Sequence, residues 1–336
     1  RHLALPDAVA GICGNPVVLL FSRALSNWSA DITPAELGTP AVRERETQRV
    51  NDILRALGEA IIAGDAKTAR QAAEAFTDSS LKVSRLLEER RQRTTADDWA
   101  ATADADGDGK LAQKLALALA LDVAARGWPR ERFGDEAGLI ARFGVSRSIL
   151  REAIRMLELH GIVRPQRGRG GGLMIGLPNA DYTIASAKRY LRRAGLVPAD
   201  YLAVRETLES GAIALAVRRG KDAEFADLET LNAQLQNADD SAITPIAIEW
   251  HARLSRLGHN RALSLLLRIL FTLTEESQPR LPPTVATTLR KRHARLTKAL
   301  VARKEDAAQA VAREHVAWLE EVLRLGLGTL TARTTA

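Results

Sequence analysis

Residues 134–175 read GDEAGLIARFGVSRSILREAIRMLELHGIVRPQRGRGGGLMI, and the pattern of this stretch decides the fold. Residues 135–143 predict a short helix with Asp135 as its N-cap. Gly144-Val145-Ser146 is a tight turn. Residues 147–160 predict a second helix, capped by Ser146 and stopped by Gly161. Leu150, Ala153, Ile154 and Leu157 form an inward stripe at helical spacing, while Arg147, Arg151 and Arg155 recur every four residues and line one exposed face. IVR (162–164) and LMI (173–175) predict two short strands around the glycine-rich basic loop PQRGRGGG. Helix, turn, arginine-faced helix and basic hairpin together describe a winged helix-turn-helix.

The residue types suit nucleic acid. Arginine donates two hydrogen bonds from one planar fork, which matches phosphate and the O6/N7 edge of guanine. Glycines let a loop approach a sugar-phosphate backbone, so that Arg167 and Arg169 can enter a minor groove. The competing reading is an ordinary helical hairpin with a solvated charged face. It requires cap, turn, arginine period and wing to coincide.

FGVSRSILREAIRMLELHGIV, followed by RGRGGG, resembles the DNA-binding domain of GntR-family bacterial transcription regulators, whose pattern is roughly F-G-V-S-R-x-x-V-R-E-A-L-x-x-L-x-x-x-G-L-V. The resemblance implies that Ser146, Arg147 and Arg151 contact an operator and that Arg167, Gly168 and Arg169 contact a wing site. Ser148 and Arg155 complete the candidate DNA-binding set. One departure stands out. The family often carries arginine in E-R-E-L on the first helix, and here the text is Glu136-Ala137-Gly138-Leu139, so one contact is expected to be missing.

A chain of 336 residues is long enough for two or three domains with real cores. The composition is 46% hydrophobic and only 4% aromatic, rich in Ala, Leu and Arg, which favours helices over sheets. A formal charge of +7 fits a polyanionic partner. The single cysteine, Cys13, excludes an internal disulfide framework and suits a reducing cytosol. No apolar run reaches the ~18 residues that would span a bilayer, and no signal peptide opens the chain. The expected location is cytoplasmic, with no membrane partner. Because the chain begins with Arg rather than Met, it is expected to be a piece of a longer protein or a processed product.

The pattern divides the chain into a helical segment (1–92), a linker (93–109), the winged helix-turn-helix (110–177) and a helical bundle (178–336). In the first, an apolar segment (14–25) is followed by helices over 42–63 and 66–90, joined at Gly64-Asp65 as a helical hairpin. The linker RTTADDWAATADADGDG places Asp104, Asp106, Asp108 and Gly109 like the front of an EF-hand loop. Leu115 falls where such a loop needs its bidentate acid, so a solvated linker is the better reading. A Leu/Ala-rich helix over 110–126 leads into the winged motif. Seven amphipathic helices follow, over 181–194, 199–219, 222–238, 245–257, 261–275, 285–303 and 304–325, and their short connections imply a compact bundle. DYLAVRETLESGAIALAV, EWHARLSRLGHNRALSLLL and RHARLTKALVARKEDAAQAVAREHVAWLEE resemble the FCD effector-binding domain of the FadR-like branch of GntR regulators. The expected fold is therefore mainly α: a winged helix-turn-helix, an all-α FCD bundle, and a partial FCD-like segment in front.

That last element comes from an internal repeat. GICGNPVVLLFSRAL (11–25) aligns with RLGHNRALSLLLRIL (256–270), setting Asn15 on Asn260. NDILRALGEAIIAGDAKTARQAAEAFTDSS aligns with the region from Arg292, setting Ala60-Ile61 on Ala299-Leu300. Residues 1–92 thus resemble the back half of a second FCD domain, and the parent is expected to be a tandem head–bundle–head–bundle chain.

Three of the six histidines carry a metal argument. His293 and His315 stand 22 positions apart, about 33 Å along one unbroken helix, so one rod cannot bring them together. A turn near Arg303-Lys304 lies midway, and folding the two helices back brings both rings to one level. His251 is the third candidate. In metal-binding FCD domains the set is an aspartate, a histidine four residues on and two further histidines; here the aspartate position is Ala247. Glu249, two residues from His251, points to another face. Three neutral imidazoles can hold a divalent metal such as zinc, with water or a ligand carboxylate completing the shell. The alternative is three polar core histidines left from an ancestral site. At the equivalent positions of the first repeat stand Pro6, Leu54 and Phe76, so no metal is expected there, and His2 alone is not a site.

The resemblance implies a DNA-binding transcription regulator, not an enzyme, that reads a palindromic operator in double-stranded DNA. It would work as a homodimer or an intramolecular pseudo-dimer and respond to a small carboxylate metabolite, for which Arg205 is the implied partner. Two alternatives stay open: a degenerate scaffold or dimerisation partner that no longer reads DNA, and a three-histidine metalloenzyme. The second lacks a general base at helical spacing from the histidines.

Overall fold

The computed structural model describes residues 10–30, 40–91, 108–166, 172–177, 179–275 and 281–324. The chain is mainly α-helical and separates into two compact units, one of residues 1–5 and 26–182, the other of 6–25 and 183–336. Among the described residues no helix is long and apolar enough to cross a membrane.

In the first unit, α2 (Pro40–Ile62) and α3 (Ala66–Arg91) pack as a hairpin. Gly64 reverses the chain at φ 70°. Asp65 then caps α3, its carboxylate accepting from Lys67 N and Thr68 N. Farther on, α4 (Asp108–Ala125) leads to β1 (Arg132–Gly134), α5 (Glu136–Phe143), α6 (Arg147–Leu159), β2 (Val163–Gln166) and β3 (Gly172–Ile175). The caps fall where expected: Asp135 accepts from Gly138 N and Ser146 from Ile149 N. Gly144, at φ 62°, ends α5 in the left-handed conformation that gives glycine its advantage there.

The strands form an antiparallel sheet in the order β1-β3-β2. The wing hairpin was legible in the sequence, but β1 was not. A three-residue strand has no periodicity to display, and Arg132–Gly134 exists because β3 offers it a free edge. Leu115, Leu119 and Val123 of α4, Leu139 and Phe143 of α5, Leu150, Ala153 and Leu157 of α6, and Val163, Leu173 and Ile175 of the sheet close one core. Ile154 of the expected stripe is only partly buried. The acidic positions Asp104 and Asp106 lie outside the described residues.

The second unit contains α7 (Asp181–Arg193), α8 (Pro198–Arg219), α9 (Asp222–Asn237), α10 (Ile243–Leu257), α11 (Arg261–Glu275), α12 (Pro283–Val301) and α13 (Glu305–Arg324). Buried stripes of α8, α9, α10, α12 and α13 meet around Trp250, Leu254, Leu296, Leu300 and Ala312. Residues 6–25 belong to this unit, including the start of α1 (Pro16–Ala30). Val17 and Phe21 are buried, and Asn15 donates from Nδ2 to the carbonyl of Asp200 at 2.9 Å.

The backbone turns at the two sets of aligned positions are alike. Gly64 N reaches Ile61 O and Asp65 N reaches Ala60 O, just as Arg303 N reaches Leu300 O and Lys304 N reaches Ala299 O. Gly14 and His259 are both left-handed, at φ 67° and 49°. Each precedes an asparagine whose side chain caps the next helix: Asn15 accepts from Val18 N and Asn260 from Leu263 N.

Candidate functional site

The arginine face of α6 is open to solvent. Arg147 and Arg151 keep 68% and 62% of their side chains exposed, and Arg155 is exposed. Leu150, Ala153 and Leu157 turn the other way into the core. Glu136 faces this surface: its Oε1 accepts from Arg151 Nε at 2.8 Å and lies 3.5 Å from Arg147 Nε. Ser146 and Ser148 are exposed and share a hydrogen bond of 2.9 Å between their hydroxyls. Ala137 is exposed on α5 with no polar side chain to offer. Arg167, Gly168 and Arg169 lie outside the described residues.

The second unit holds the other candidate. The bundle brings His251 of α10, His293 of α12 and His315 of α13 together. One nitrogen from each ring lies within 4.8 Å of the others. The α12–α13 turn does what the sequence required, setting two rings 22 positions apart edge to face with their centroids 5.1 Å apart. Trp250 packs edge-on against His251 and His293 and is held by its Nε1–H donating to Thr297 Oγ1 at 3.1 Å.

Each ring keeps one buried nitrogen outside any well-aligned hydrogen bond: His251 Nδ1, which lies 3.0 Å from Glu209 Oε1, His293 Nε2 and His315 Nδ1. Leaving buried polar atoms unpaired costs about 1–3 kcal/mol each, and three in one cluster suggest that something else satisfies them. His293 Nδ1 lies 3.0 Å from the carbonyl of Leu289. A carbonyl only accepts, so the ring proton sits on Nδ1 and Nε2 carries the lone pair, the arrangement of an oriented metal ligand. All three rings favour the neutral form that coordinates metal. Burial, then the charge of His251, pushes His293 down to about 3. Burial and His293 push His315 well below the ordinary range, and burial lowers His251 against the opposing charge of Glu209.

Two charged side chains of α8 share this interior. Arg205 and Glu209, four residues apart on one helix face, are 7% and 3% exposed. Arg205 donates from Nε to Glu209 Oε1 at 2.9 Å, from Nη1 to the Tyr201 hydroxyl at 3.3 Å and from Nη2 to His251 Nε2 at 3.0 Å. Burial alone would raise the Glu209 carboxyl, but Arg205 and His251 outweigh it and hold it well below the usual carboxylate range. Arg205 therefore lies beside the histidines, and its guanidinium is engaged on three sides within the protein.

Glu209 escaped the sequence reading, which sought an acid within a turn of His251. The acid comes from another helix, and the one available signal was its four-residue spacing from Arg205. Glu249 faces elsewhere, bonded to Arg256 at 2.6 Å. Ala247 is buried in an apolar cluster with Leu235, Ile243, Ala286 and Leu289. In the first repeat, Leu54 is buried and Phe76 partly so, with Pro6 outside the described residues.

The second unit is thus an all-α bundle closed over a polar, histidine-lined interior. Its residues 200–317 match the model of the FCD domain. An FCD domain in a chain that also carries a winged helix is consistent with the FadR-like branch of the GntR regulators. Solved structures similar to this chain include a GntR protein of Streptococcus agalactiae, at 20% identity and a TM-score of 0.46 over 63% of this chain and 100% of that one. A GntR-family regulator of Pseudomonas syringae pv. tomato is 18% identical, with a TM-score of 0.31 over 71% and 94%. E. coli McbR/YncC is 17% identical, with a TM-score of 0.30 over 66% and 99%.

Proposed function

We propose that the chain is a transcription regulator that reads double-stranded DNA through α6 and its wing and is controlled by a small carboxylate metabolite in the FCD bundle. The observation that carries this reading is the solvent-open arginine face of a capped second helix in a winged helix-turn-helix. Phosphate contacts would supply salt-dependent affinity, and Arg147 and Arg151 the base discrimination. Glu136 would act as a stand-in for DNA, holding both arginines until phosphate or a guanine edge replaces its carboxylate.

His251, His293 and His315 would hold a divalent metal such as zinc, since the ring nitrogens left outside any well-aligned hydrogen bond suit that donor set. When bound, the ion would supply a Lewis-acidic position for a metabolite carboxylate. Arg205 would add a cationic partner for the same group after release from its internal contacts. A metabolite alters DNA affinity only insofar as it binds one arrangement of the protein more tightly than another. Residues 1–92 would be the back half of an additional FCD domain, and the protein would work as a homodimer or an intramolecular pseudo-dimer.

The test is binding to duplexes selected by the protein from a random pool, followed by fluorescence anisotropy across a salt series. Arg151→Ala is expected to weaken binding tenfold to a hundredfold at ~100 mM salt, equivalent to about 1–3 kcal/mol. Unchanged affinity would remove α6 as the reading element. Absence of any salt-dependent binding by the unmodified chain would favour the scaffold alternative.

A further inference from the structure

Resting on the metal reading above, we propose that Arg205 is a lock on His251. A metal ion and the guanidinium compete for this one ring, and loading the metal releases Arg205 to a carboxylate ligand. Arg205 Nη2 lies 3.0 Å from His251 Nε2. Arginine only donates, so Nε2 accepts and the neutral ring carries its proton on Nδ1. That proton lies beside Glu209 Oε1, 3.0 Å from Nδ1 and off the line of a well-formed hydrogen bond. His251 therefore presents no free lone pair. His293, with its proton on Nδ1 toward the carbonyl of Leu289, presents one at Nε2.

Both routes to coordination by His251 run through the same contact. Binding through Nε2 uses the lone pair that Arg205 now holds. Binding through Nδ1 requires the ring proton to move to Nε2, where it meets the N–H of Arg205 donor to donor. In either case Nη2 has to turn away, with no change in the charge of the ring. Which nitrogen binds does not matter.

The interior allows such an exchange. Arg205 also donates from Nε to Glu209 at 2.9 Å, a separate bond that keeps the cation paired when Nη2 lets go. An unpaired charge at this depth would be costly. The guanidinium carbon lies 5.4 Å from the centre of the Phe271 ring, a second contact that does not involve His251. A freed Nη2 is a charge-assisted donor for a carboxylate. By linkage, metal and carboxylate then raise each other's affinity by the same factor.

The experiment uses the full chain, stripped with a chelator and reloaded with Zn2+ alone. Zinc affinity, read by competition with a chromophoric chelator, is compared with that of Arg205→Met/Glu209→Met. The double variant removes both charges together, and apolar replacement of a buried ion pair is often tolerated. It is expected to bind zinc about 10- to 100-fold more tightly, the worth of a hydrogen bond to a charged group. Nuclear magnetic resonance of the unmodified chain with isotope-labelled histidine and arginine gives a second readout. The His251 proton should sit on Nδ1 in the metal-free protein, with the Arg205 Nη2 protons in slow exchange, and zinc should abolish that slow exchange. If the double variant fails to fold, this readout decides. Zinc binding by the folded variant that is equal or weaker, or Nη2 protons unchanged by loading, overturns the lock and leaves the metal reading standing. No zinc uptake by either protein overturns the metal reading itself.

Discussion

The α2–α3 and α12–α13 hairpins make the same turn and bury different chemistry beside it. Gly64 and Arg303 are both left-handed, at φ 70° and 54°, and each residue and its successor donate to corresponding carbonyls, Ile61 and Ala60 in one hairpin, Leu300 and Ala299 in the other. Yet Leu54 and Phe76 stand in the first hairpin where His293 and His315 stand in the second. Helical hairpins tolerate this exchange because the turn is specified by main-chain hydrogen bonds and one left-handed residue. The facing positions are free to become apolar packing or a ligand pair. The fold is therefore separable from the chemistry, and the comparison gives three ways to separate them further.

Acid should produce the largest difference. His293 is neutral in the folded protein, with its pKa depressed to about 3, and takes up a proton near 6.5 in the unfolded chain. The unfolded state thus binds more protons in that window, so stability is intact above about 6.5 and falls as pH drops toward 3. The expected slope is about 1.4 kcal/mol per pH unit for this ring alone. Urea denaturation of metal-free protein across that range should show it, and His293→Leu should flatten it. Equal slopes in both proteins would mean that the ring is not buried and neutral.

Metal affinity comes next. His315→Ala should weaken zinc binding at least about 100-fold in a chelator competition, whereas Leu54→Ala should leave it unchanged. A matching loss in the Leu54 variant would break the contrast between the hairpins. The smallest effect concerns the turns. Nothing lies within 4 Å of a Cβ built at Gly64, so Gly64→Ala should cost only the left-handed penalty, about 1 kcal/mol by denaturation. A larger loss would show that this turn relies on more than its conformation. Arg303 bears the same conformation with a side chain, and its guanidinium donates to Val217 O and the Asp222 carboxylate while lying 4.1 Å from the centre of the Phe225 ring.

By itself the sequence determined whatever depends on local signals. Asp135 and Ser146 announced their caps, Gly144 and Gly64 their turns, and the spacing of Leu150, Ala153 and Leu157 the buried side of α6. The FGVSR and VRETLE stretches carried the family resemblance. Even the approach of His293 to His315 was legible, because a turn midway between them leaves one way to fold. Only the tertiary structure decided what depends on partners distant in the chain. β1 exists because β3 has an edge to give it. Glu136 faces Arg151 across the helix-turn-helix, the start of α1 joins the second unit through Asn15 and Asp200, and Glu209 reaches His251 from another helix. Helical periodicity reports which face of a helix turns inward, but not which side chains of other helices meet it there, since that is set by how the buried surfaces pack together.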